Sequence, residues 1–284
     1  MRDSVAVISG AGKGLGRAYA LELASLGCRV VVNNRLHPNQ PSSAEKVVAE
    51  IRSAGGTAIA HHGSAHDATC GTSLIDTAMS HWGRIDIVIA NAGYDQPQSF
   101  HHQSMSDFTD IITANFFGTA QLLHAAWPHL RAANYGRVVV STSTAGLFGN
   151  HGQTAYAASK AALIGLMRSL HLEGVNRGIK INAIAPYAHT PLTDAWFSDA
   201  LASVFTATQV AKFLTALVSL ECTASGRTFI VGGDAVREAR MLETGAKDSA
   251  SRAIFSDLET LSATIQPLSA SAEFETFLNP EEAE

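Results

Sequence analysis

The segment Ser9-Gly10-Ala11-Gly12-Lys13-Gly14-Leu15-Gly16 joins the apolar run Val5-Ala6-Val7-Ile8 to a helical pattern that begins at Arg17. Glycines permit a tight turn and let backbone N–H groups at a helix N-terminus approach an anion. The spacing differs from G-x-G-x-x-G because residue 15 is leucine, and a simple turn is the alternative. A glycine turn between a first strand and a first helix still predicts a dinucleotide phosphate site. Its candidate residues are Gly10, Lys13, Gly14, Leu15 and Gly16.

Short apolar runs alternate with amphipathic ones along most of the 284 residues. Predicted strands cover residues 4–9, 29–33, 57–61, 85–90, 137–141, 180–185 and 228–231. Predicted helices cover residues 14–26, 42–54, 70–82, 106–133, 154–176 and 208–220. Alternating strands and helices form parallel sheets covered on both faces. We therefore predict an α/β fold: a single doubly wound Rossmann-type domain with a seven-stranded parallel sheet and helices on both faces.

Residues 1–245 are predicted to form that domain, and residues 246–284 differ from it in character. This last stretch is rich in Ser, Ala, Thr and Glu, yet it also carries aromatic and aliphatic side chains. Pure disorder would be poorer in aromatics. We interpret it as an extension that packs on the body or on a partner subunit, with a loose tail as the alternative.

The overall composition excludes several classes of protein. A formal net charge of −5 gives no electrostatic reason to expect nucleic acid or an anionic membrane as a partner. The twelve histidines show no metal-ligand spacing, so we expect no metal site. Three separated cysteines favour a reducing compartment. We find no signal core and no uninterrupted apolar run of membrane-spanning length, and we expect a cytoplasmic location.

The end of the second predicted strand bears on the choice of cofactor. An acidic residue there would accept hydrogen bonds from the adenosine ribose of NAD, but the sequence reads Asn33-Asn34-Arg35. The lack of a carboxylate removes repulsion toward a 2′-phosphate, and the guanidinium of Arg35 suits a phosphate. Lys13 is a second cation in the glycine turn. We predict NADP as cofactor, with NAD as the alternative if Asn34 binds the ribose hydroxyls.

Tyr156 and Lys160 lie four residues apart on the predicted helix 154–176 and therefore share one face. A free phenol has a pKa of about 10, and a nearby ammonium in a poorly solvated cleft, together with a nicotinamide ring, would lower it. Ser143 follows a strand, at the sheet edge where open α/β folds bind ligands. Asn115 interrupts a long predicted helix, where a local bend or a bound water would explain it. Chance spacing, and Ser141 or Thr142 in place of Ser143, are the alternatives.

These segments together resemble the classical short-chain dehydrogenase/reductases over roughly residues 4–245. The matching segments are the glycine turn, Asn91-Ala92-Gly93, Asn115, Ser143, Tyr156-x-x-x-Lys160 and Asn182-Ala183-Ile184-Ala185-Pro186. The resemblance implies a catalytic tetrad of Asn115, Ser143, Tyr156 and Lys160, with Lys160 also holding the nicotinamide ribose and Asn115 positioning a water. It also implies cofactor contacts from Asn91, Ala92, Gly93, Pro186 and Thr190, and a homodimer or homotetramer built through the helices at 106–133 and 154–176.

Several stretches are most similar to the hydroxyacyl-CoA dehydrogenase part of the peroxisomal multifunctional β-oxidation enzyme. They include Val30-Val31-Val32-Asn33, Gly149-Asn150-His151-Gly152-Gln153 and Leu172-Glu173-Gly174. The sequence departs from the family's pattern where an Asp usually meets adenine, because it has Gly63 followed by Ser64. It also has Tyr187 in place of the usual glycine after Pro186, and Asn34 where that relative is acidic.

Residues 190–206 are implied to form the substrate lid. Leu192, Trp196, Phe197, Leu201 and Phe205 would give it an apolar wall, although about half of them would serve as core. Further candidates to line the substrate site are Tyr94, Phe148, His151 and His189. The lid carries no Lys or Arg for a CoA phosphate, which favours an uncharged lipophilic substrate.

The predicted function is therefore an NADP(H)-dependent oxidoreductase that interconverts a secondary alcohol and a ketone on a lipophilic small molecule. The alternatives are a 3-hydroxyacyl-CoA dehydrogenase, a hydride-transferring enoyl reductase, and a catalytically silent nucleotide-binding scaffold on the same fold.

Overall fold

The computed structural model describes residues 1–194 and 197–241. The first half comprises β1 (Val5–Ser9), α1 (Gly14–Ser25), β2 (Arg29–Asn33), α2 (Ser43–Ser53), β3 (Thr57–His61), α3 (Cys70–Trp82), β4 (Ile87–Ala90), α4 (Met105–Ile112), a π-helical turn (Thr113–Phe117) and α5 (Gly118–Ala133). The second half comprises β5 (Gly136–Ser141), α6 (Thr144–Phe148), α7 (Thr154–Gly174), a 3₁₀ turn (Val175–Arg177), β6 (Ile179–Tyr187), α8 (Asp199–Val204), α9 (Ala207–Val218), β7 (Thr228–Gly232) and β8 (Ala235–Ala239).

These strands form one sheet in the order β3-β2-β1-β4-β5-β6-β7-β8. Neighbouring strands from β3 to β7 are parallel, as predicted. The sequence predicted seven strands, whereas the described residues form eight. β8 pairs antiparallel with β7, because only Gly233 and Asp234 separate them and a two-residue turn joins antiparallel neighbours. The sequence did not predict this edge strand, because its charged residues Arg237 and Glu238 interrupt the apolar pattern.

Side chains that alternate along β1 enter two separate cores. Ala6 and Ile8 pack with the buried faces of α1, α2 and α9, and Val5 and Val7 pack with those of α3, α5 and α7. Both faces of the sheet are therefore covered by helices, which explains why its central strands read as continuous apolar runs. The doubly wound α/β class predicted from the sequence is confirmed.

The long helix predicted at 106–133 is divided in the structure. The π-helical turn Thr113–Phe117 separates α4 from α5, and it contains Asn115, where the sequence indicated a local irregularity. A π turn widens the backbone and redirects the side chains on either side of it. Asn115 points from this turn toward the loop after β4, where it bonds the Tyr94 backbone.

One stretch among the described residues, Asp199–Val218, has the length and apolar composition of a membrane span. It is divided into α8 and α9 at Phe205 and Thr206, and α9 buries Val210 and Leu214 in the core beside α1. In this structure the stretch therefore forms two helices of the folded body. Residues 246–284, predicted to be an extension, lie outside the described residues.

Candidate active site

The glycine turn after β1 is shaped by close contacts that only glycine permits. Gly10 has φ +65°, and a Cβ there would lie 2.7 Å from Cα of Ala92. Gly14 also has positive φ. A Cβ on Gly16 would lie 2.2 Å from the carbonyl oxygen of Gly10, so this glycine lets α1 start directly against the turn. The result is an open backbone cradle at the N-terminus of α1, where N–H groups and the helix dipole favour a phosphate.

A cavity of about 270 Å³ lies over this cradle. Most of the predicted cofactor-binding residues line it: Gly10, Lys13, Gly14, Leu15, Asn34, Arg35, Ser64, Asn91, Ala92, Gly93 and Thr190. Gly16 is not among its lining residues, because it is buried between α1 and the turn. The elongated set of residues, which runs from the end of β2 to the end of β6, suits a dinucleotide better than a single small ligand.

The end of β2 carries positive rather than negative charge. The Asn34 amide donates to the Ser43 hydroxyl at 2.7 Å, which fixes it beside the N-terminus of α2. Arg35 and Lys13 are exposed, and neither has a carboxylate within ion-pair distance in the described part of the chain. Two free cations and a helix N-terminus therefore surround this end of the cavity.

Gly63 stands where the family usually places an aspartate, and the packing around it explains the difference. A Cβ at Gly63 would lie 2.5 Å from Sγ of Cys70 and 2.6 Å from the ring of His61. An aspartate would therefore displace both side chains. The Gly63 carbonyl instead accepts a hydrogen bond from the Asn33 amide at 2.9 Å. Ser64 remains available to the cavity.

A second cavity of about 350 Å³ adjoins the first. Five residues line both cavities, namely Leu15, Asn91, Gly93, Thr190 and Leu192. The second cavity also contains Ser143, Tyr156, Lys160 and Pro186. Three of the four predicted catalytic residues therefore surround a space that continues from the glycine cradle, at the carboxyl ends of β4, β5 and β6.

Ser143 and Tyr156 meet across this second cavity. Ser143 precedes α6 and caps its N-terminus, where its hydroxyl accepts from the Ala145 N–H at 3.2 Å. Burial raises the pKa of the Tyr156 phenol to about 12, a hydrogen bond with Ser143 lowers it, and the charge of Asp95 raises it. The sequence predicts a pKa below 10 for this phenol when the Lys160 ammonium and a nicotinamide ring both lie beside it. Among the groups of the described chain, burial outweighs every influence that would lower it.

Lys160 lies beneath Tyr156 on the next turn of α7. Its side chain is only 4% exposed, its Nζ donates to the Ser141 carbonyl at 2.8 Å, and it sits 5.5 Å from the centre of the Tyr156 ring. Burial lowers the pKa of Lys160 to about 8, although the charge of Asp95 raises it. Lys160 is therefore anchored to β5, with its ammonium facing the Tyr156 ring.

Asn115 is fully buried and reaches the loop after β4, and it lines neither cavity. Its Oδ1 accepts from the Tyr94 N–H and its Nδ2 donates to the Tyr94 carbonyl, both at 2.9 Å. The Nδ2 also donates to Ser159 at 3.2 Å. A Cβ at Gly93 would lie 2.9 Å from this Asn115 Oδ1 and 3.3 Å from Lys160 Nζ. Asn115 thus positions the loop after β4 against α7.

Asp95 belongs to the second cavity, although sequence patterns did not single it out. Its carboxylate accepts a hydrogen bond from the Gln153 amide. Burial raises the pKa of Asp95, whereas hydrogen bonds from Gln153 and the Gln96 N–H and the charge of Lys160 lower it. The available signal was its position, since it lies two residues after Gly93 at the carboxyl end of a central strand.

The predicted substrate-lining residues are distributed differently from expectation. Tyr94 lines the first cavity, with its hydroxyl bonded to Asp110. Phe148 packs into the core cluster with Phe205, and His151 is exposed outside the lining of both cavities. His189 pairs with Asp194 at 2.7 Å. Trp196 lies outside the described residues.

The predicted apolar wall is also divided. Leu192 and Phe197 line the second cavity, and Phe197 also packs with Leu201 and Phe205 in a core cluster. The apolar side chains that follow β6 therefore serve both to line the site and to pack in the core.

The chain matches the family model described as short chain dehydrogenase over residues 4–200. A short-chain type dehydrogenase/reductase of Mycobacterium tuberculosis is 40% identical over 242 residues, covering 84% of this chain and 85% of the relative. The peroxisomal multifunctional enzyme A of Dictyostelium discoideum is 38% identical over 245 residues, covering 84% of this chain. The match covers 55% of that enzyme, so the chain spans about half its length.

A similar solved structure is that of a short chain dehydrogenase from Mycobacterium avium. Its TM-score is 0.82 at 30% identity, and the match covers 95% of this chain and 99% of that one. A glycine cradle that continues into a Ser–Tyr–Lys cavity on a doubly wound sheet defines a nicotinamide-dependent oxidoreductase. The chain belongs to the short-chain dehydrogenase family. The predicted resemblance, including similarity to peroxisomal multifunctional enzymes, is confirmed.

Proposed function

We propose that this protein is an NADP(H)-dependent oxidoreductase that interconverts a secondary alcohol and a ketone. The observation that carries the proposal is the continuity of the two cavities, with Ser143, Tyr156 and Lys160 around the second and the glycine cradle beneath the first. When bound, the nicotinamide ring would give a hydride to the carbonyl carbon or take one from the alcohol carbon. The protein's own groups then handle the oxygen and its proton.

Tyr156 is proposed to give its phenolic proton to the substrate oxygen in reduction and to take it back in oxidation. The phenol's high pKa keeps it protonated at neutral pH, which suits the acid role. The Ser143 hydroxyl would hold the substrate oxygen beside it. The Lys160 ammonium, 5.5 Å from the ring, would stabilise the phenolate that forms. Asn115 is a positioning residue that fixes the cavity wall.

NADP is proposed over NAD because of the charge at the end of β2. Asn34 is uncharged, Arg35 and Lys13 are exposed cations, and the N-terminus of α2 lies beside Asn34 through Ser43. A 2′-phosphate would find donors here, whereas a carboxylate that selects ribose hydroxyls is lacking at Asn34.

The substrate is proposed to be a small molecule with an apolar body. Leu192 and Phe197, together with Pro186 and Tyr187, give the second cavity an apolar side. A 3-hydroxyacyl-CoA is the second candidate, favoured by the similarity to the Dictyostelium peroxisomal enzyme. Against it, Lys160 is the one Lys or Arg that lines the second cavity in the described residues, and it is already bound to Ser141.

Assembly and location are also proposals. Leu172 on α7 is 73% exposed and Phe117 at the π turn is 50% exposed, which supports a homodimer or homotetramer through these helices. Light scattering of the purified full chain would measure the assembly. A cytoplasmic location remains a prediction, which fractionation of the native cells would test.

The Tyr156→Phe variant tests the proposed chemistry. It should lower kcat by about 10²-fold or more in both directions, because the acid/base proton is removed. Cofactor affinity, measured by nicotinamide fluorescence, should change little. Tyr135→Phe is the matched control, since Tyr135 lies before β5 beside Arg137 and away from both cavities. Equal kcat for Tyr156→Phe and wild type would refute the role, and a silent scaffold would show no turnover in either.

A further inference from the structure

Asp95 places a carboxylate inside the cavity that holds Ser143, Tyr156 and Lys160. The roles proposed above do not use this charge. It acts on both reacting partners of α7, because it raises the pKa of Tyr156 and that of Lys160. A negative group so close to the reacting carbonyl would influence which substrates can enter.

Neighbouring amides of Gln153 and Gln96 hold the Asp95 side chain in place. Gln153, which is 5% exposed, donates from Nε2 to Oδ2 of Asp95, and its own Oε1 accepts from the Asn150 amide at 2.6 Å. The other oxygen, Oδ1, is shielded from solvent. The residue as a whole is half-buried and lines the cavity, so its negative charge acts on whatever occupies that space.

The sheet order places this carboxylate opposite the apolar side of the cavity. β4, β5 and β6 are neighbours in that order. Asp95 follows β4, Ser143 follows β5, and Leu192 and Phe197 follow β6. A substrate whose oxygen meets Ser143 therefore has a charged, hydrogen-bonding wall on one side of the reacting carbon and an apolar wall on the other.

We propose that Asp95 is a specificity-determining residue that selects ketones bearing a hydroxyl or ammonium donor beside the carbonyl. This inference rests on the proposed function and narrows its substrate class. The donor would approach the Asp95 carboxylate, while the apolar body of the substrate would pack toward Leu192 and Phe197. A hydroxyl donates one hydrogen bond to the carboxylate, and an ammonium adds charge attraction.

The same carboxylate disfavours two other groups at this position. A substrate carboxylate beside the carbonyl would be repelled by the like charge. A thioester carbonyl, as in a 3-oxoacyl-CoA, offers only an acceptor, so it gains no hydrogen bond from a neighbouring carboxylate. We therefore expect acyl thioesters to be poorer substrates than ketones that carry such a donor.

A matched set of four ketones tests the inference with the full-length enzyme and NADPH. All four share a 2-phenylethyl body, and the carbonyl carries a methyl, hydroxymethyl, aminomethyl or carboxylate group. We expect wild-type kcat/KM for the hydroxymethyl and aminomethyl ketones to exceed that for the methyl ketone by about tenfold or more, and the carboxylate to fall well below it. In Asp95→Ala these ratios should fall about tenfold. Ratios between substrates are compared, rather than absolute rates, because the substitution also changes the pKa of Tyr156 and of Lys160.

The Asp95→Asn variant separates charge from hydrogen bonding, because it keeps an acceptor for Gln153. It should lose most of the preference for the aminomethyl ketone and keep part of that for the hydroxymethyl ketone. Asp76→Asn on α3 removes the same charge from an exposed position outside the cavity lining and should leave every ratio unchanged. Cofactor binding by each variant shows that it is folded.

Wild-type ratios retained in Asp95→Ala would overturn the inference. So would a wild-type enzyme that reduces all four ketones equally well. In both cases the proposed function survives, provided that Tyr156→Phe abolishes the turnover. If wild type reduces none of the four ketones, the proposed function fails and the inference fails with it.

Discussion

The side chain of Asn115 is bonded twice to the backbone of Tyr94, accepting from its N–H and donating to its carbonyl oxygen, each at 2.9 Å. The pair joins the π-helical turn to the loop after β4, across 21 residues of sequence. It fixes the wall that carries Gly93 and Asp95. The π-helical turn therefore helps to fix one edge of the active-site cavity.

Asn115→Ala should lower the free energy of unfolding by about 2–4 kcal/mol, because it removes the side-chain partner of both the N–H and the carbonyl of Tyr94. Activity should fall with it, since the loop after β4 loses its anchor. Urea denaturation of the full chain measures the change. Asn176→Ala, at an exposed position after α7, is the control and should lie within about 0.5 kcal/mol of wild type. A similarly small effect at Asn115 would contradict the anchoring role.

The rate of ketone reduction should fall as pH rises above about 8. The pKa of Lys160 is lowered from 10.5 to about 8 by burial, so the side chain is an ammonium below that pH and neutral above it. Loss of the ammonium removes the charge that stabilises the Tyr156 phenolate. A profile of kcat against pH measures the alkaline limb.

The Asp95→Asn variant should move that limb to lower pH, because the negative charge of Asp95 raises the pKa of Lys160. Lys160 faces Asp95, Tyr156 and the Ser141 carbonyl, and Asp95 is the anion among them. A limb that stays in place after this substitution would show that Lys160 does not control it. A flat wild-type profile up to pH 9.5 would show the same.

Cofactor choice should respond to the residues at the end of β2. Asn34→Asp should reduce kcat/KM with NADP by about tenfold or more, since it places a carboxylate where the 2′-phosphate would bind. Arg35→Ala should weaken the binding of NADP and leave the binding of NAD nearly unchanged. Arg177→Ala removes an exposed arginine from the 3₁₀ turn after α7 and should affect neither cofactor. A wild-type enzyme that prefers NAD would overturn the assignment.

Two glycine-to-alanine substitutions in helices should differ sharply. At Gly16 a Cβ would lie 2.2 Å from the Gly10 carbonyl oxygen, so Gly16→Ala should destabilise the fold by at least about 2 kcal/mol and weaken cofactor binding. At Gly165 on α7 no atom lies within 4 Å of the added Cβ, so Gly165→Ala should be neutral or slightly stabilising. Thermal unfolding of both variants, with and without NADPH, compares them. Equal stability would mean that the Gly16 contact relaxes easily.

Much of the fold could be predicted because local patterns encode it. The bounds of β2, β3 and α3 agree with those expected from apolar periodicity and glycine stops. The edge strand β8 was missed, because edge strands carry charged residues and their pairing depends on a neighbour rather than on local sequence. The split between α4 and α5 was only partly predicted, since Asn115 signalled an irregularity without specifying a π turn.

The candidate site, like the fold, was predicted only in part. Ser143, Tyr156 and Lys160 were placed together by order along the chain and by helix spacing, and they do share a cavity. Phe148 was expected at the substrate mouth, but it is half-buried against the cluster that contains Phe205 and does not line the second cavity. Asp95 went unnoticed, because a lone acidic residue in a loop has no pattern until the strands are assembled.

By itself, the amino-acid sequence determined the parallel α/β architecture, the glycine cradle and the helical pairing of Tyr156 with Lys160, because each depends on residues close together along the chain. The three-dimensional packing decided how deeply those groups are buried and which residues share the two cavities. It also decided that the Asp95 carboxylate lies near enough to Tyr156 and Lys160 to change their pKa values. Solvation and charge–charge interactions depend on neighbours that are distant in sequence, so they are settled only when β4, β5 and β6 lie side by side.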